Sequence, residues 1–165
     1  MGEVTDELRE QLLATPDDGL GNREWTTLLR VLNQHPDEAT DIYTWMLSNH
    51  KGYIEPRVRA GQALHKIDPG RLRSALEVLI QSSDPDDRDT AVLLLIEFRD
   101  LQIYALAKPL LRDQYPYLQF EAIELLKDVY PNDVLATLRE LLTHEGKWAR
   151  EEAQKLLTNW TTAAE

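Results

Sequence analysis

The sequence predicts an all-α protein, a right-handed α-α superhelix (α-solenoid) of about five antiparallel helix pairs. Three observations predict this fold class. Chemically alike positions recur every 31 residues, the recurring apolar positions have helical spacing, and prolines stand where helices would begin. Because one pair cannot bury its own apolar stripe, the pairs must stack. We expect a single domain, since 165 residues can bury roughly 70% of the unfolded chain's surface.

The second helix of each pair carries the clearest repeat. Its spacing A-x-x-A/L-L-x-x-Φ places four apolar side chains on one stripe of a helix with 3.6 residues per turn. The positions that recur in steps of 31 are Ala60, Ala91, Ala122 and Ala153, followed by Leu64, Leu95, Leu126 and Leu157.

The first helix of each pair recurs at the same step, in the set Leu72, Ile103, Val134 and the set Leu79, Leu110, Leu141. One unit earlier the step is 33, so two extra residues lie between Ser48 and Glu55. The predicted repeats within residues 1–165 are 36–69, 70–100, 101–131 and 132–162, preceded by a degenerate capping pair at 1–35. In that pair, the second-helix spacing is carried by Trp25, Leu28, Leu29 and Leu32.

The positions of proline and glycine predict helix boundaries that agree with these repeats. Helices are predicted to begin at Pro36, Pro56, Pro85 and Pro116. They are predicted to end at Asp68-Pro69-Gly70 and at Tyr130-Pro131-Asn132. The bulky Trp148 and Trp160 of the last repeat are predicted to close the stack.

The segment Asp84-Pro85-Asp86-Asp87-Arg88, followed by Ala91, Leu94 and Leu95, resembles the D-P-x-x-R…A-x-x-A-L second helix of HEAT repeats. The short unit is similar to the HEAT-like kind of phycobilisome-lyase-type proteins. The family's arginine falls on Arg57, Arg88 and Arg150, whereas the third unit carries Gln119. We expect these arginines to be structural and to bind the loops between helices. The resemblance implies the fold and leaves function open.

The composition of the chain restricts the classes of partner that it can bind. The chain carries 18 Lys and Arg against 29 Asp and Glu, a net charge of −11, which disfavours nucleic acid and anionic membranes and favours a basic partner. There is no cysteine, which excludes disulfides and thiolate chemistry. No secretory signal is visible at the start, and the longest apolar run, at 91–96, is too short to span a bilayer. We expect a cytoplasmic protein.

No arrangement of residues indicates a catalytic centre, so we expect neither enzyme activity nor a cofactor or metal. The histidines lack the i, i+4 spacing and third ligand that a metal site needs; they are His35, His50, His65 and His144. The neighbouring carboxylates of Asp86 and Asp87 lie where a helix N-terminus favours negative charge.

A candidate binding surface lies opposite the buried stripe of the second helices. Leu93, Ile96 and Phe120 are apolar there, where water is expected. The resemblance implies that second helices line the concave face, so these residues would form an apolar floor with an acidic rim. The alternative is that curvature buries them between adjacent helices. The full predicted site is Leu93, Ile96, Phe120, Glu124, Lys127, Glu97 and Asp89.

The leading hypothesis is a non-catalytic scaffold, monomeric or weakly self-associating, that binds a basic protein or peptide on this surface. One alternative is an immunity or inhibitor protein against a basic toxin or nuclease. HEAT-like DNA-repair glycosylases are a further alternative, which the net charge disfavours. A bilin lyase or chaperone subunit is suggested by the repeat subtype alone.

Overall fold

The computed structural model describes residues 35–49 and 54–162, together with positions 6, 10, 27, 30–32 and 34. Every regular element of this part is helical, which confirms the predicted all-α class. The elements are α1 (Pro36–Asn49), α2 (Ile54–Ile67), α3 (Pro69–Ile80), α4 (Pro85–Phe98), α5 (Leu101–Tyr104), a 3₁₀ helix (Ala105–Arg112), α6 (Pro116–Leu126), α7 (Pro131–Leu141) and α8 (Lys147–Thr162). Within the described ranges, no helix is both long enough and apolar enough to cross a bilayer.

Prolines begin five of these helices, α1, α3, α4, α6 and α7. A proline is tolerated in the first turn because its missing N–H would have no helical partner there. The start of α3 is also capped, since the Asp68 side chain accepts a hydrogen bond from the Arg71 backbone N–H at 2.9 Å. One start differs from the prediction, because α2 begins at Ile54, two residues before Pro56.

The third pair departs from the regular pattern. Its first helix is divided into the four residues of α5 and the 3₁₀ helix, with Pro109 inside the latter. Proline removes one backbone donor and clashes with the preceding turn, so a regular α-helix cannot continue through this position. The apolar positions predicted from the repeat are still buried, as Ile103 and Leu110 show.

The structure forms two compact units, residues 1–94 and residues 95–165. In the N-terminal unit, α1 packs on α2 and both pack on α3. Its core contains Ile42, Met46, Leu47, Leu64, Leu72 and Leu76. In the C-terminal unit, α6 and α7 pack on the 3₁₀ helix and α8 packs on α7. Its core contains Leu110, Leu118, Ile123, Leu126, Val134 and Leu138.

The alanine positions of the stripe are buried where the repeat places them, whereas at its last position Ile67 is 51% exposed. The four alanines that recur in steps of 31, from Ala60 to Ala153, are all fully buried. Leu32 of the predicted capping pair is also buried. Trp25, Leu28 and Leu29 lie outside the described residues. The handedness of the superhelix and the single-domain organisation stay predictions.

The recurring arginines bind backbone carbonyls in the last turn of the preceding helix or in the loop that follows it. Arg57 Nε donates to the Leu47 carbonyl at 2.8 Å. Arg88 Nη1 donates to the Ser82 carbonyl at 2.8 Å, and Arg150 Nη1 donates to the His144 carbonyl at 2.7 Å. A guanidinium satisfies acceptors that a helix end leaves without partners. The structural role predicted for these arginines is thereby confirmed.

Candidate functional site

The predicted binding residues are distributed over both units. In the N-terminal unit, Leu93 is 37% exposed and Asp89 is half-buried. Burial raises the pKa of the Asp89 carboxyl, and the nearby charge of Asp86 adds to the rise. In the C-terminal unit, Ile96 is half-buried and Glu97 is exposed. Their assignment to a single binding surface stays a prediction.

Phe120 is buried rather than open to water, with 8% of its surface exposed. Its ring packs edge-on against the indole of Trp148, with centroids 5.1 Å apart and planes inclined by 74°. The burial alternative left open by the sequence therefore applies to Phe120. Trp148, which covers it, is itself 55% exposed. The exposed aromatic surface at this point belongs to α8.

A groove of about 640 Å³ lies between α6 and α8 in the C-terminal unit. Its apolar floor consists of Ile123, Leu138, Leu156 and Trp160. Its polar rim consists of Glu124, Lys127, Asp128, Glu152, Lys155 and Asn159. Two residues of the predicted site, Glu124 and Lys127, are thus brought together at the rim. An apolar cleft with a few polar groups at its edge is the usual form of a binding site.

The rim lysines are paired within their own helices. Lys127 Nζ lies 2.6 Å from Glu124 Oε2, and Lys155 Nζ lies 3.1 Å from Glu152 Oε1. The hydrogen bond that Lys127 donates to Glu124 raises the pKa of Lys127, and the charges of Glu124 and Asp128 act in the same direction. Three carboxylates against two ammonium groups leave the rim with a formal charge of 2 − 3 = −1. The rim is therefore slightly acidic.

In the N-terminal unit, the second helices α2 and α4 are in direct contact. We call the line along which two second helices face each other a seam, and this seam is closed. The Arg57 guanidinium reaches Asp87 Oδ1 at 2.6 Å, and both side chains are largely buried. One turn along α2, Gly61 lies so close to Leu94 that a Cβ on the glycine would be 2.6 Å from Leu94 Cδ2. The absence of a side chain at Gly61 lets the two helices approach.

Three of the four residues that close this seam are replaced in the C-terminal unit. Two repeats further along the chain (2 × 31 = 62 residues), Gln119 stands in place of Arg57 and Ala149 in place of Asp87. Gly61 and Leu94 become Ile123 and Leu156, both of which line the groove. The buried Gln119 Oε1 has no hydrogen-bond partner. The groove therefore coincides with the loss of an ion pair and of a glycine.

Two further aromatic rings are exposed at the start of α6. The rings of Tyr115 and Tyr117 are 6.0 Å apart and are 39% and 40% exposed. Tyrosine and tryptophan are enriched in protein interfaces, because they bury a large area with few rotatable bonds. The sequence signal that could have identified Trp148 and Trp160 as site residues is their aromatic type. They were instead predicted to close the stack.

The described residues contain no group of three or more His, Asp or Glu side chains that could hold a metal ion. His35 Nδ1 lies 3.9 Å from Glu38 Oε1, one turn further along the chain.

Comparison with known proteins gives one match. The family model for HEAT repeats matches residues 72–158, which is 158 − 72 + 1 = 87 of the 165 residues. The matched segment begins in α3 and ends in α8, and it includes all the groove residues except Asn159 and Trp160. No curated protein and no solved structure matches the chain.

Proposed function

The chain belongs to the HEAT-repeat family, whose repeats commonly mediate protein interactions, and we propose that it is a non-catalytic scaffold that binds a protein or peptide. The binding site in this proposal is the groove between α6 and α8. The partner is a basic protein or peptide with an apolar side chain that enters the groove.

The observation that supports this proposal most is the composition of the groove itself. Leu156 and Trp160 present apolar surface at its floor, while Glu152 and Asp128 supply carboxylates at its rim. A volume of about 640 Å³ lies within the range of roughly 300–1,000 Å³ that is typical of ligand clefts. The net charge of −11 would attract a basic partner over a longer range.

The remaining predicted residues form a second part of the proposal. A contact surface of its own on α4, separate from the groove, would be formed by Leu93, Ile96, Asp89 and Glu97. Leu93 is the most suitable probe because its side chain is 37% exposed. If Leu93→Glu leaves partner binding unchanged, this second surface is wrong and the groove proposal is unaffected.

The experiment that tests the groove is affinity capture with the full chain at low salt, followed by mass spectrometry and titration of the captured partner. The test variant is Asp128→Lys combined with Glu152→Lys, which reverses charge at the rim. The matched control is Glu77→Lys on α3, an exposed glutamate in the other unit that is paired with Arg73. All proteins are first compared by circular dichroism and thermal unfolding.

We expect the partner to bind the rim variant at least tenfold more weakly and the control as well as the wild type. Binding should also weaken as salt is added, because exposed charges are screened. A partner list and affinity that are the same for all three proteins would contradict the groove proposal.

A further inference from the structure

We propose that the partner segment in the α6–α8 groove is a basic amphipathic α-helix, of which about two turns lie in the groove. This inference rests on the proposed function, that the groove binds protein, and it specifies the conformation and pattern of the bound segment. Four properties of the C-terminal unit support it: the nature of the groove walls, the arrangement of floor and rim, the length of the groove and its charge.

The walls of the groove are α-helices, whose backbone N–H and C=O groups are already bonded within each helix. An extended peptide binds well at a sheet edge, where it gains backbone hydrogen bonds. Here it would bury backbone groups without partners, which is costly. Among the described lining residues, Asn159 is the one carboxamide that could bond to such a backbone. A helix satisfies its own backbone and avoids this cost.

The floor and rim have the pattern that one face of a helix complements. The apolar floor of Ile123, Leu156 and Trp160 lies between a charged rim on α6 and a charged rim on α8. An amphipathic helix presents one apolar stripe with polar residues on both sides. An extended chain alternates its side chains between two faces, so half of them would point away from the groove.

The length of the groove corresponds to about two helical turns. On α8 the lining residues run from Glu152 to Trp160. Eight residues (160 − 152) at a rise of 1.5 Å give about 12 Å. A bound helical segment of about eight residues would cover this distance, with apolar residues at positions i, i+4 and i+7.

The charge of the groove specifies basic residues beside the apolar stripe. Lys127 and Lys155 are paired with Glu124 and Glu152, which leaves Asp128 as the excess carboxylate of the rim. We therefore expect Arg or Lys in the bound helix at the position beside Asp128.

The test is a display selection on the full-length protein with two libraries of 14-residue peptides. One library can form helices throughout, and the other carries a central proline that prevents a continuous helix. Counter-selection on Asp128→Lys combined with Glu152→Lys removes peptides that bind elsewhere. The binding of selected peptides is then measured by fluorescence anisotropy, and their helix content by circular dichroism.

We expect enrichment in the helical library alone, with apolar residues at helical spacing and Arg or Lys beside the apolar stripe. A selected peptide should gain helix content on binding. It should lose at least tenfold in affinity on central proline substitution and on the double rim substitution, but not with Glu77→Lys.

Rim-dependent enrichment of proline-containing peptides would overturn the helix and leave the proposed function intact. The helix would also be wrong, and the proposed function intact, if neither library is enriched while the affinity of the captured partner is still lowered by the double rim substitution. If neither the libraries nor the captured partner depends on the rim, both proposals are wrong.

Discussion

In the N-terminal unit, the second helices α2 and α4 are joined by the Arg57–Asp87 ion pair and by the close contact of Gly61 with Leu94. In the C-terminal unit, the second helices α6 and α8 have a groove between them. The residues at the equivalent positions are Gln119, Ala149, Ile123 and Leu156. One repeat therefore provides a closed seam in one unit and an open seam in the other.

The difference shows how a groove can arise within a repeated fold without a change of architecture. Replacing a glycine by Ile123 adds a side chain where helices would otherwise meet. Replacing the ion pair by Gln119 and Ala149 removes the bonds that would draw the helices together. The buried stripe is retained in both units, since Ala60 and Ala122 are both fully buried. The seams differ while the core remains the same.

The largest effect is expected from breaking the closed seam with Arg57→Ala. Asp87, whose side chain is 13% exposed, would lose its guanidinium partner. Removing one partner of a buried pair costs about 3–5 kcal/mol of unfolding free energy. Urea denaturation followed by circular dichroism measures the loss.

The control is Arg73→Ala, which breaks the exposed pair with Glu77 and should cost less than about 1 kcal/mol. Equal losses for the two variants would refute the importance of the buried pair.

The next effect is expected from adding a side chain to the closed seam with Gly61→Ala. The new Cβ would lie 2.6 Å from Leu94 Cδ2, and the Leu94 side chain is fully buried. Overpacking costs about 1–3 kcal/mol, against a gain in helix propensity of about 1 kcal/mol. We expect a lower melting temperature. Gly70→Ala is the control, because its nearest contact would be an ordinary 3.5 Å to Asp68 Oδ1. A Gly61→Ala protein as stable as the control would show that the seam is loose.

A gain in stability is expected from restoring the family's arginine at the open seam with Gln119→Arg. Arg88 and Arg150 each bind the carbonyl six residues earlier, at Ser82 and His144. The carbonyl six residues before Gln119 belongs to Asp113. The new bond and the removal of the unpartnered Gln119 Oε1 should together add about 1 kcal/mol.

Thermal unfolding checks this gain against Gln114→Arg, which places the same charge at an exposed position of the same unit. We expect the control to change stability by less than about 0.5 kcal/mol. A protein destabilised by Gln119→Arg would indicate that the third pair differs from the others in its loop as well as its first helix.

The smallest effect is expected for Asp89→Asn, with a gain below about 0.5 kcal/mol at pH 7. Burial raises the pKa of Asp89 above its ordinary value of 3.8. The folded state then holds this proton more tightly than the unfolded state, so the charged carboxylate costs stability above the folded pKa. The cost is relieved as pH falls through the folded pKa, and the advantage of Asn should vanish below 3.8.

Urea denaturation of Asp89→Asn at pH 7 and at pH 3.5 checks both parts of this prediction. The control is Glu151→Gln at the equivalent position of the C-terminal unit. Glu151 is 65% exposed and is paired with Lys147 at 3.5 Å. A gain for Asp89→Asn that is as large at pH 3.5 as at pH 7 would show that charge is not its cause.

Much of the fold was predictable, because helices depend on neighbours within one or two turns. The apolar spacing around Ala91 and Leu95 and the proline at Pro85 predict a second helix that the structure places at Pro85–Phe98. The division of the third pair's first helix was missed. The repeat aligned Ile103 with Leu72, but the effect of Pro109 on the backbone outweighs that apolar pattern.

The site was predictable in part. Glu124 and Lys127 were identified from the exposed face of α6, and both line the groove. Phe120 was identified on the same argument, yet Trp148, which is 28 residues away (148 − 120), covers its ring. A helical pattern shows which side of one helix faces outward. It does not show which side chain of another helix lies on top.

The sequence by itself determined the all-α class, the 31-residue register, the buried alanine and leucine stripe and the acidic charge. All of these follow from residue type and from spacing along one chain segment. Only the tertiary structure decided that the seam closes at Gly61 and opens at Ile123, and that Gln119 keeps an unpartnered oxygen. The physical reason is that packing depends on distances of a few ångströms between side chains of separate helices, and helical periodicity contains no information on those distances.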